Sequence, residues 1–432
     1  MAVFECTFDN KAMEGYMKIV RICSIGLYAQ QYKAFVVQNL TAPVSYEGAL
    51  EAMRKKGMLY PSSYGAQMKT LGIESHDIVP DFPFLQNLWK YQYGSRDGTN
   101  IFLEQIQHYK PDIIYFQELD VLPHALRKTL KQKFPFVKVI TGFKGFPPRI
   151  YSDYSDLDHI FISYPYFQKT WEQVGVSVTL LPHCFDPGTA DSTDIAQNSA
   201  RPIDFSFVGS TGYGNQSQQG RYLDLLYMLE KTSLEIWGKE QEVRRGYLGL
   251  KSVAIGMASV IPHALLEYIR THISKHSSSI DLFMRDTILV KKGTIPVFDW
   301  FLWKKPIHSL YPERFHNPVF GHDYLSVLSS SRISLNRHTD ELWEGGNIRT
   351  FEITGMGSCL LVDDRENIDS LFDEDEIVTY TSREDCVEKV NYLLNNDFER
   401  EVIANRGALR VRKNHMTIHR CEVIARALLG IV

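Results

Sequence analysis

Two glutamates eight residues apart, Glu344 and Glu352, bracket the segment "EGGNIRTFE", and their surroundings differ in kind. Glu344 precedes the pair Gly345–Gly346, where bare backbone can approach a ligand closely. Glu352 stands one turn into "IRTFEITGMG", whose apolar spacing predicts a helix ended by Gly357. The free amides and positive dipole end of such a helix suit a diphosphate, and a carboxylate one turn in can accept both hydroxyls of a ribose. Glu352 is therefore expected to read a ribose, and Glu344 a sugar or its phosphate. Arg349, three residues before Glu352, either binds phosphate or pairs with Glu352 across the turn.

Other residues stand where a strand-like run gives way to a loop. "FVGSTGYGNQSQQGR" places Gly209 and Ser210 at such a point, with Arg221 as a charge partner for an anion. Glu118, Asp120 and His124 follow "DIIYFQ", and His183 closes "VTLLPH"; a general base would stand at such places. Gly26, Tyr28 and Gln30 hold the equivalent position after the first strand, and "GFKGFPPRIY" adds Lys144 and Arg149. Asp156 and Asp158 spell Asp-x-Asp, a metal-binding pattern, but they precede a strand at its amino end and read as exposed acids of a turn. No metal site is expected.

The elements that must carry these residues alternate short β-branched runs with longer amphipathic ones from residue 17 onward, the pattern of parallel sheets in α/β layers. Residues 1–16 read as a tail and 17–187 as one Rossmann-like domain with strands at "MKIVRICSIG", "HDIVPD", "PDIIYFQEL", "FVKVITG" and "LDHIFIS". Pro, Asp, Ser and Thr crowd the stretch to residue 202, so 188–202 reads as a linker. The alternation restarts with "IDFSFVGS" and "LEIWG", giving a second Rossmann-like domain over 203–412 with a helical and aromatic insertion at about 240–320. Two such domains are expected to face each other across a cleft, with ligands beyond the carboxyl ends of the strands. Residues 413–432 are expected to form a helix that returns to the first domain.

The 432 residues, 44% hydrophobic, suffice for two cores. A net charge of −4 disfavours a nucleic-acid partner. Six cysteines scattered singly fit a reducing cytosol, and neither a signal peptide nor an apolar span long enough for a membrane is visible. The aromatic and basic run 297–315, "VFDWFLWKKPIHSLYPERF", reads as rings packed on the second core, or else as an oligomer contact or a place of peripheral membrane contact.

"EGGNIRTFEITGMGSCLLVDD" resembles the Glu-x7-Glu segment of nucleotide-sugar-dependent GT-B glycosyltransferases, in which a glycine follows the second glutamate by five residues. Along most of its length the chain resembles the spore-maturation-protein-B-like glycosyltransferases. The matching pieces, in order, are "LQNLWKYQYG", "KPDIIYFQELDVLP", "DLDHIFISYPYF" leading to "FDP", "DFSFVGS" with Arg221, "ISLNRH", "IRTFEITGMGSCLLVDD" and "HMTIHR". The resemblance implies a GT-B fold and transfer of a sugar from a nucleotide donor to a hydroxyl of a glycan, lipid-linked saccharide or small molecule. It implies no cofactor beyond that co-substrate and no bound metal; the paired glutamates lean toward retention of configuration, and inversion stays open, with Glu118, Asp120 or His183 as the base it would need. The donor would be held by Glu352, Arg349, Gly345, Gly346, Asn347, Thr350, Gly209, Ser210, Arg221, Asn336 and Arg337, with Glu344, Glu118, Asp120 and His183 as candidates for the chemistry. Gly26, Tyr28, Gln30, Lys144 and Arg149 would lie on the acceptor side. A nucleotide-sugar epimerase or hydrolase of the same fold stays open, as does a dinucleotide-dependent oxidoreductase, although no clean Gly-x-Gly-x-x-Gly follows either first strand.

Overall fold

A computed structural model describes residues 17–26, 29–40, 44–94, 100–148, 153–186, 188, 201–215, 218–241, 245–272, 280, 283–284, 287–288, 291, 304–340 and 342–431. Tyr28, Arg149, the tail 1–16, most of the linker and residues 297–303 of the aromatic run lie outside them. The chain divides into two units. One gathers the chain up to Pro148 with Asp153–Ser192 and Asn414–Val432; the other is essentially Thr193–Lys413.

The first unit holds a six-stranded parallel sheet in the order β2-β1-β3-β4-β5-β6, formed by β1 (Lys18–Ile22), β2 (Glu74–Ile78), β3 (Ile113–Phe116), β4 (Val139–Lys144), β5 (His159–Ile162) and β6 (Ser177–Leu180). β3 and β5 are buried along their whole length, as strands covered on both faces must be. Arg21 of β1 is fully buried and donates to Asp77 of β2, which Arg54 also engages. Burial alone would raise the Asp77 pKa, but Arg21 and Arg54 outweigh it and hold the carboxyl at about 2. The helix Thr417–Leu429 packs Cys421, Ile424, Ala425 and Leu428 into the core of this same unit, beside Tyr64 and Met68. His415 and Arg420 serve its entry: the Arg420 guanidinium donates to the carbonyls of Pro182 and His183 and to the His415 ring.

The second unit holds another six-stranded parallel sheet, β12-β11-β10-β7-β8-β9, from β7 (Ile203–Ser210), β8 (Leu234–Lys239), β9 (Phe315–His316), β10 (Ser331–Asn336), β11 (Cys359–Asp363) and β12 (Val378–Tyr380). Its core joins Phe205 and Phe207 of β7 to Ile333 and Leu335 of β10, Leu361 of β11 and Leu225 of the helix Gln219–Lys231. The insertion ends earlier than its composition suggests. Phe315–His316 pairs with β8, because the buried Glu240 carboxylate accepts from the backbone of Ile307 and His308 and pins the returning chain to the end of β8.

Candidate functional site

Both sheets change winding direction once, the second between β7 and β10. Ligands of open parallel sheets bind at such a switch point, outside the carboxyl ends of the strands. β7 is buried over Phe205–Val208 and ends at Gly209–Ser210, after which the helix Gln219–Lys231 begins; β10 ends at Asn336, and the helix Ile348–Gly355 follows it. Two helix N-termini therefore open at the carboxyl edge of adjacent strands.

A polar frame fixes the second of these helices. Asn347 caps it by accepting from the Thr350 amide, and Asn336 at the end of β10 exchanges amide hydrogen bonds with Asn347 and donates to the Thr350 hydroxyl. The Gly-Gly turn before it is held from both sides. Asn367 accepts from Gly345 N and donates to Gly345 O, while Gly346 N donates to His338 Nε2 at 3.2 Å. Since a backbone amide can only donate, His338 must carry its proton on Nδ1, and that nitrogen donates to Asp363 at 2.7 Å. Burial lowers the His338 pKa, against the pull of Asp363, so the imidazole is neutral with both nitrogens used. Gly346 has φ +91°, and a Cβ there would meet Leu371 Cδ1 at 2.5 Å; only glycine fits.

Arg337 lies inside this frame. Its guanidinium engages Asp224, Asp340 and Asp363, and Asp340 in turn accepts from Gly220 N at the start of the helix Gln219–Lys231. The expected donor contact at Arg337 is thus a cation already neutralised by three carboxylates. Asn336, Asn347 and Thr350 likewise spend their side chains on one another.

Two other arginines are not neutralised. Arg349, in the first turn of the helix Ile348–Gly355, forms no ion pair with any described residue, and its Nη1 is buried without an acceptor. Its guanidinium lies on Gly209, where a Cβ would come within 3.0 Å of three of its atoms, and over the Phe207 ring. The alternative pairing of Arg349 with Glu352 is not formed. Arg221 is buried, gives Nη1 to the Ser210 carbonyl and the Gln218 side chain, and leaves Nε without a partner. Burial first, then the like charges of Arg349 and Arg337, lower its pKa to about 9. Arg221, buried, and Arg349, half-buried with its Nη1 covered, are two cations short of acceptors beside two helix N-termini, a setting that suits an anion.

Glu352 is buried and accepts from the Tyr324 hydroxyl at 2.7 Å. Tyr324 comes from the helix Gly321–Ser329, which packs on the helix Ile348–Gly355. Glu344 is half-buried just ahead of the Gly-Gly turn.

In the first unit, Lys144 at the end of β4 bonds both Glu118 and Asp120 beyond β3, so three expected residues form one cluster. His183 contacts Phe143 and Tyr164, and burial, with Arg420 adding to it, lowers its pKa to about 4. Gln30 is exposed on the helix Ala29–Asn39. Gly26 N donates to Ser24 Oγ and, with Ile25 N, to Asp81, which therefore fills the amide turn after β1 with the protein's own carboxylate. In the matching turn after β7 the amides of Gly212 and Tyr213 donate to the Ser210 and Thr211 hydroxyls, and the Asp340 carboxylate takes Gly220 N. The reading of Asp156 as an exposed acid is wrong: it is buried against Arg127 and His124, because Arg127 is itself buried and needs a counter-charge. Asp158 instead accepts from Ile140 N and Lys131. No group of three or more His, Cys, Asp or Glu side chains able to hold a metal occurs among the described residues.

Sequence reasoning passed over His338, Asp363 and Tyr324. The dyad "RH" after a strand was the available signal for His338; nothing local marks its partner 25 residues on.

Residues 293–426 match the family model described as glycosyl transferase-like. No curated protein matches the chain in sequence. Among solved structures, a glycosyltransferase from Rickettsia africae ESF-5 superposes with TM-score 0.51 at 9% identity, covering 96% of this chain and 99% of that one. Sucrose-phosphate synthase from Thermosynechococcus elongatus gives 0.49 at 11% identity, with 96% and 100% covered. Anabaena HepE in complex with UDP and glucose gives 0.48 at 10%, with 96% and 99% covered. The fold is α/β with two Rossmann-like units, shared with the Rickettsia glycosyltransferase.

Proposed function

We propose that this chain transfers a sugar from a nucleotide-activated donor to a hydroxyl of a glycan, lipid-linked saccharide or small-molecule acceptor, as the resemblance to spore-maturation-protein-B-like glycosyltransferases suggests. The observation that carries the reading is the pair Arg221–Arg349 at the β7–β10 switch point, one buried and one half-buried cation with no ion pair among the described residues and with Arg221 Nε and Arg349 Nη1 left without acceptors. A nucleoside diphosphate supplies the missing charge, and it is also the leaving group of such a transfer. The match of residues 293–426 to the glycosyl transferase-like family model supports the same reading.

In this account the diphosphate sits between Arg349 and Arg221 over Gly209, Glu352 takes the ribose hydroxyls, and Glu344 faces the sugar from the Gly-Gly turn. Fixed cations and amides stabilise the departing charge, so the reaction runs without a bound metal. It proceeds with retention: Glu118 and Asp120 are occupied by Lys144, and His183 at about 4 is a weak base, whereas a retaining transfer can use the leaving phosphate itself. The chain works in the cytoplasm; among the described residues no helix is long and apolar enough to cross a membrane.

The test is a thermal-shift screen with uridine, guanosine, thymidine, adenosine and cytidine diphosphates, followed by turnover of the matching nucleotide sugar with and without EDTA. One diphosphate should raise the melting temperature, since a ligand at a hundred times its dissociation constant adds about 2.7 kcal/mol. Turnover should survive the chelator, and NMR should show the product anomer matching the donor. Loss of activity with EDTA that manganese restores would remove the metal-free account, and turnover without acceptor would favour a hydrolase or epimerase.

A further inference from the structure

We propose that Glu240 is a positioning residue for the anion site, and that through it the chain returning from the insertion, residues 304–308, acts as a strap holding the loop 209–213 in place. The inference rests on the reading of that loop as part of the diphosphate site. The Glu240 side chain, just past β8, is only 4% exposed. An ionised carboxylate only accepts, and this one takes four donors from two distant segments: Ile307 N, His308 N and His308 Nδ1 on one side, and Thr211 Oγ1 at 3.1 Å on the other. Pro306 offers no amide, and the two amides that follow it both go to Glu240. Thr211 is fully buried; having given its proton to Glu240, its oxygen accepts from Tyr213 N at 3.2 Å. One hydroxyl thereby sets both the fold of the loop and its attachment.

Two further bonds run to the same strap. The Tyr213 hydroxyl donates to the Lys304 carbonyl, and the hydroxyl of Tyr222, next to Arg221 on the helix Gln219–Lys231, donates to the Lys305 carbonyl. The described part of the aromatic and basic run thus packs Ile307, Tyr311 and Phe315 on the second core and gives its backbone to the loop. The loop so held touches both arginines: the Ser210 carbonyl accepts from Arg221, and Gly209 lies against the Arg349 guanidinium. There is little slack, since a Cβ at Gly238 would stand 2.7 Å from Gly209 O. Thr211 adjoins Ser210, so displacing it moves the carbonyl on which Arg221 rests.

Amide exchange and titration with inorganic pyrophosphate, both on the full chain, test the proposal. Thr211→Val keeps the shape and removes the hydroxyl, so exchange at Tyr213 should quicken and pyrophosphate affinity should fall on the order of tenfold, as expected of slightly displaced binding groups. Thr211→Ser keeps the hydroxyl and should retain wild-type values of both. Glu240→Ala should act on Tyr213 in the same way and also quicken exchange at Ile307 and His308. A Thr211→Val variant that melts lower yet exchanges at Tyr213 and binds pyrophosphate as the wild type does overturns the proposal, because the hydroxyl is then structural alone. So does a Thr211→Ser variant as impaired as Thr211→Val, since the bond would not be what matters. Wild-type protein that binds neither pyrophosphate nor any nucleoside diphosphate overturns the donor reading of the site instead; Tyr213 exchange in Glu240→Ala, quickened or unchanged, then upholds or overturns the strap by itself.

Discussion

Arg221 is held where its charge is unwelcome, and that gives it opposite effects on stability and on binding. Its buried Nε has no acceptor, and its neighbours Arg349 and Arg337 repel it. Arg221→Met keeps most of the packing and removes the uncompensated charge, so the ligand-free protein should melt higher, by about 1 kcal/mol of stability or more. Affinity for the nucleoside diphosphate should fall about tenfold to a hundredfold, the loss of a charge-assisted hydrogen bond. Differential scanning calorimetry and titration calorimetry read the two effects separately; a variant that melts lower and binds as before would mean that Arg221 is structural. The two glutamates separate in the same way. Glu352→Ala should weaken nucleoside diphosphate and nucleotide sugar alike, about tenfold to a hundredfold, by removing the ribose acceptor. Glu344→Ala should spare the diphosphate and slow turnover or weaken the sugar-bearing donor. Equal, wild-type binding of both ligands to Glu352→Ala would leave Tyr324 as the purpose of that carboxylate.

Elements were legible where their pattern is local. "IDFSFVGS" gives β7 with its observed bounds because alternation and a terminal glycine both lie within it, and Gly357, at φ +72°, stands just past the helix Ile348–Gly355 as a C-terminal glycine should. What failed depends on partners far away in the chain. β9 is two residues long and exists because Glu240 pins a chain returning after 67 residues; the expected exposure of Asp156 missed Arg127, 29 residues earlier. The site shows the same limit. Arg349 and Glu352 can be picked out from helix position alone, but that Arg337 is neutralised and Arg221 is not depends on which carboxylates the fold brings near. The Gly-Gly turn is the element most exposed to test. His338→Ala deletes the acceptor of Gly346 N and one of two donors to Asp363 Oδ1, which keeps the backbone amide of residue 338, and leaves the buried Gly346 amide short of a partner at a cost of about 1–3 kcal/mol. Amide exchange should quicken at Gly346 in that variant, while Asn347 still caps the helix and diphosphate binding changes little. Unchanged exchange at Gly346 would show that Asn367 alone holds the turn.

At the scale of the whole molecule, buried ionisable groups set how the protein meets acid, and histidines act before carboxylates. His159, buried with neither ring nitrogen hydrogen-bonded, has its pKa lowered by burial to about 4; His183 is lowered to about 4 and His338 is lowered too. A histidine whose folded pKa lies below the unfolded value, near 6.5, binds its proton in the unfolded chain first, so stability falls as pH drops from about 6.5 toward 4. Each such histidine contributes a slope of up to about 1.4 kcal/mol per pH unit. The carboxylates act lower. Asp77, held at about 2, stabilises fully above the ordinary aspartate value near 3.9 and loses that contribution as pH falls from there toward 2; Asp363, depressed by His338, Arg365 and Arg337 against its burial, behaves alike. Because His159 and His183 belong to one unit and His338 to the other, both should weaken in the same window. Calorimetric melting from pH 7 to pH 5 should therefore show a steady decline well before any carboxylate titrates. His159→Leu, which fills the site with an apolar side chain that cannot take a proton, should flatten that decline by about one proton's worth. A melting temperature constant down to pH 5 in the wild-type protein would mean that these imidazoles are hydrated and titrate as they do in the unfolded chain.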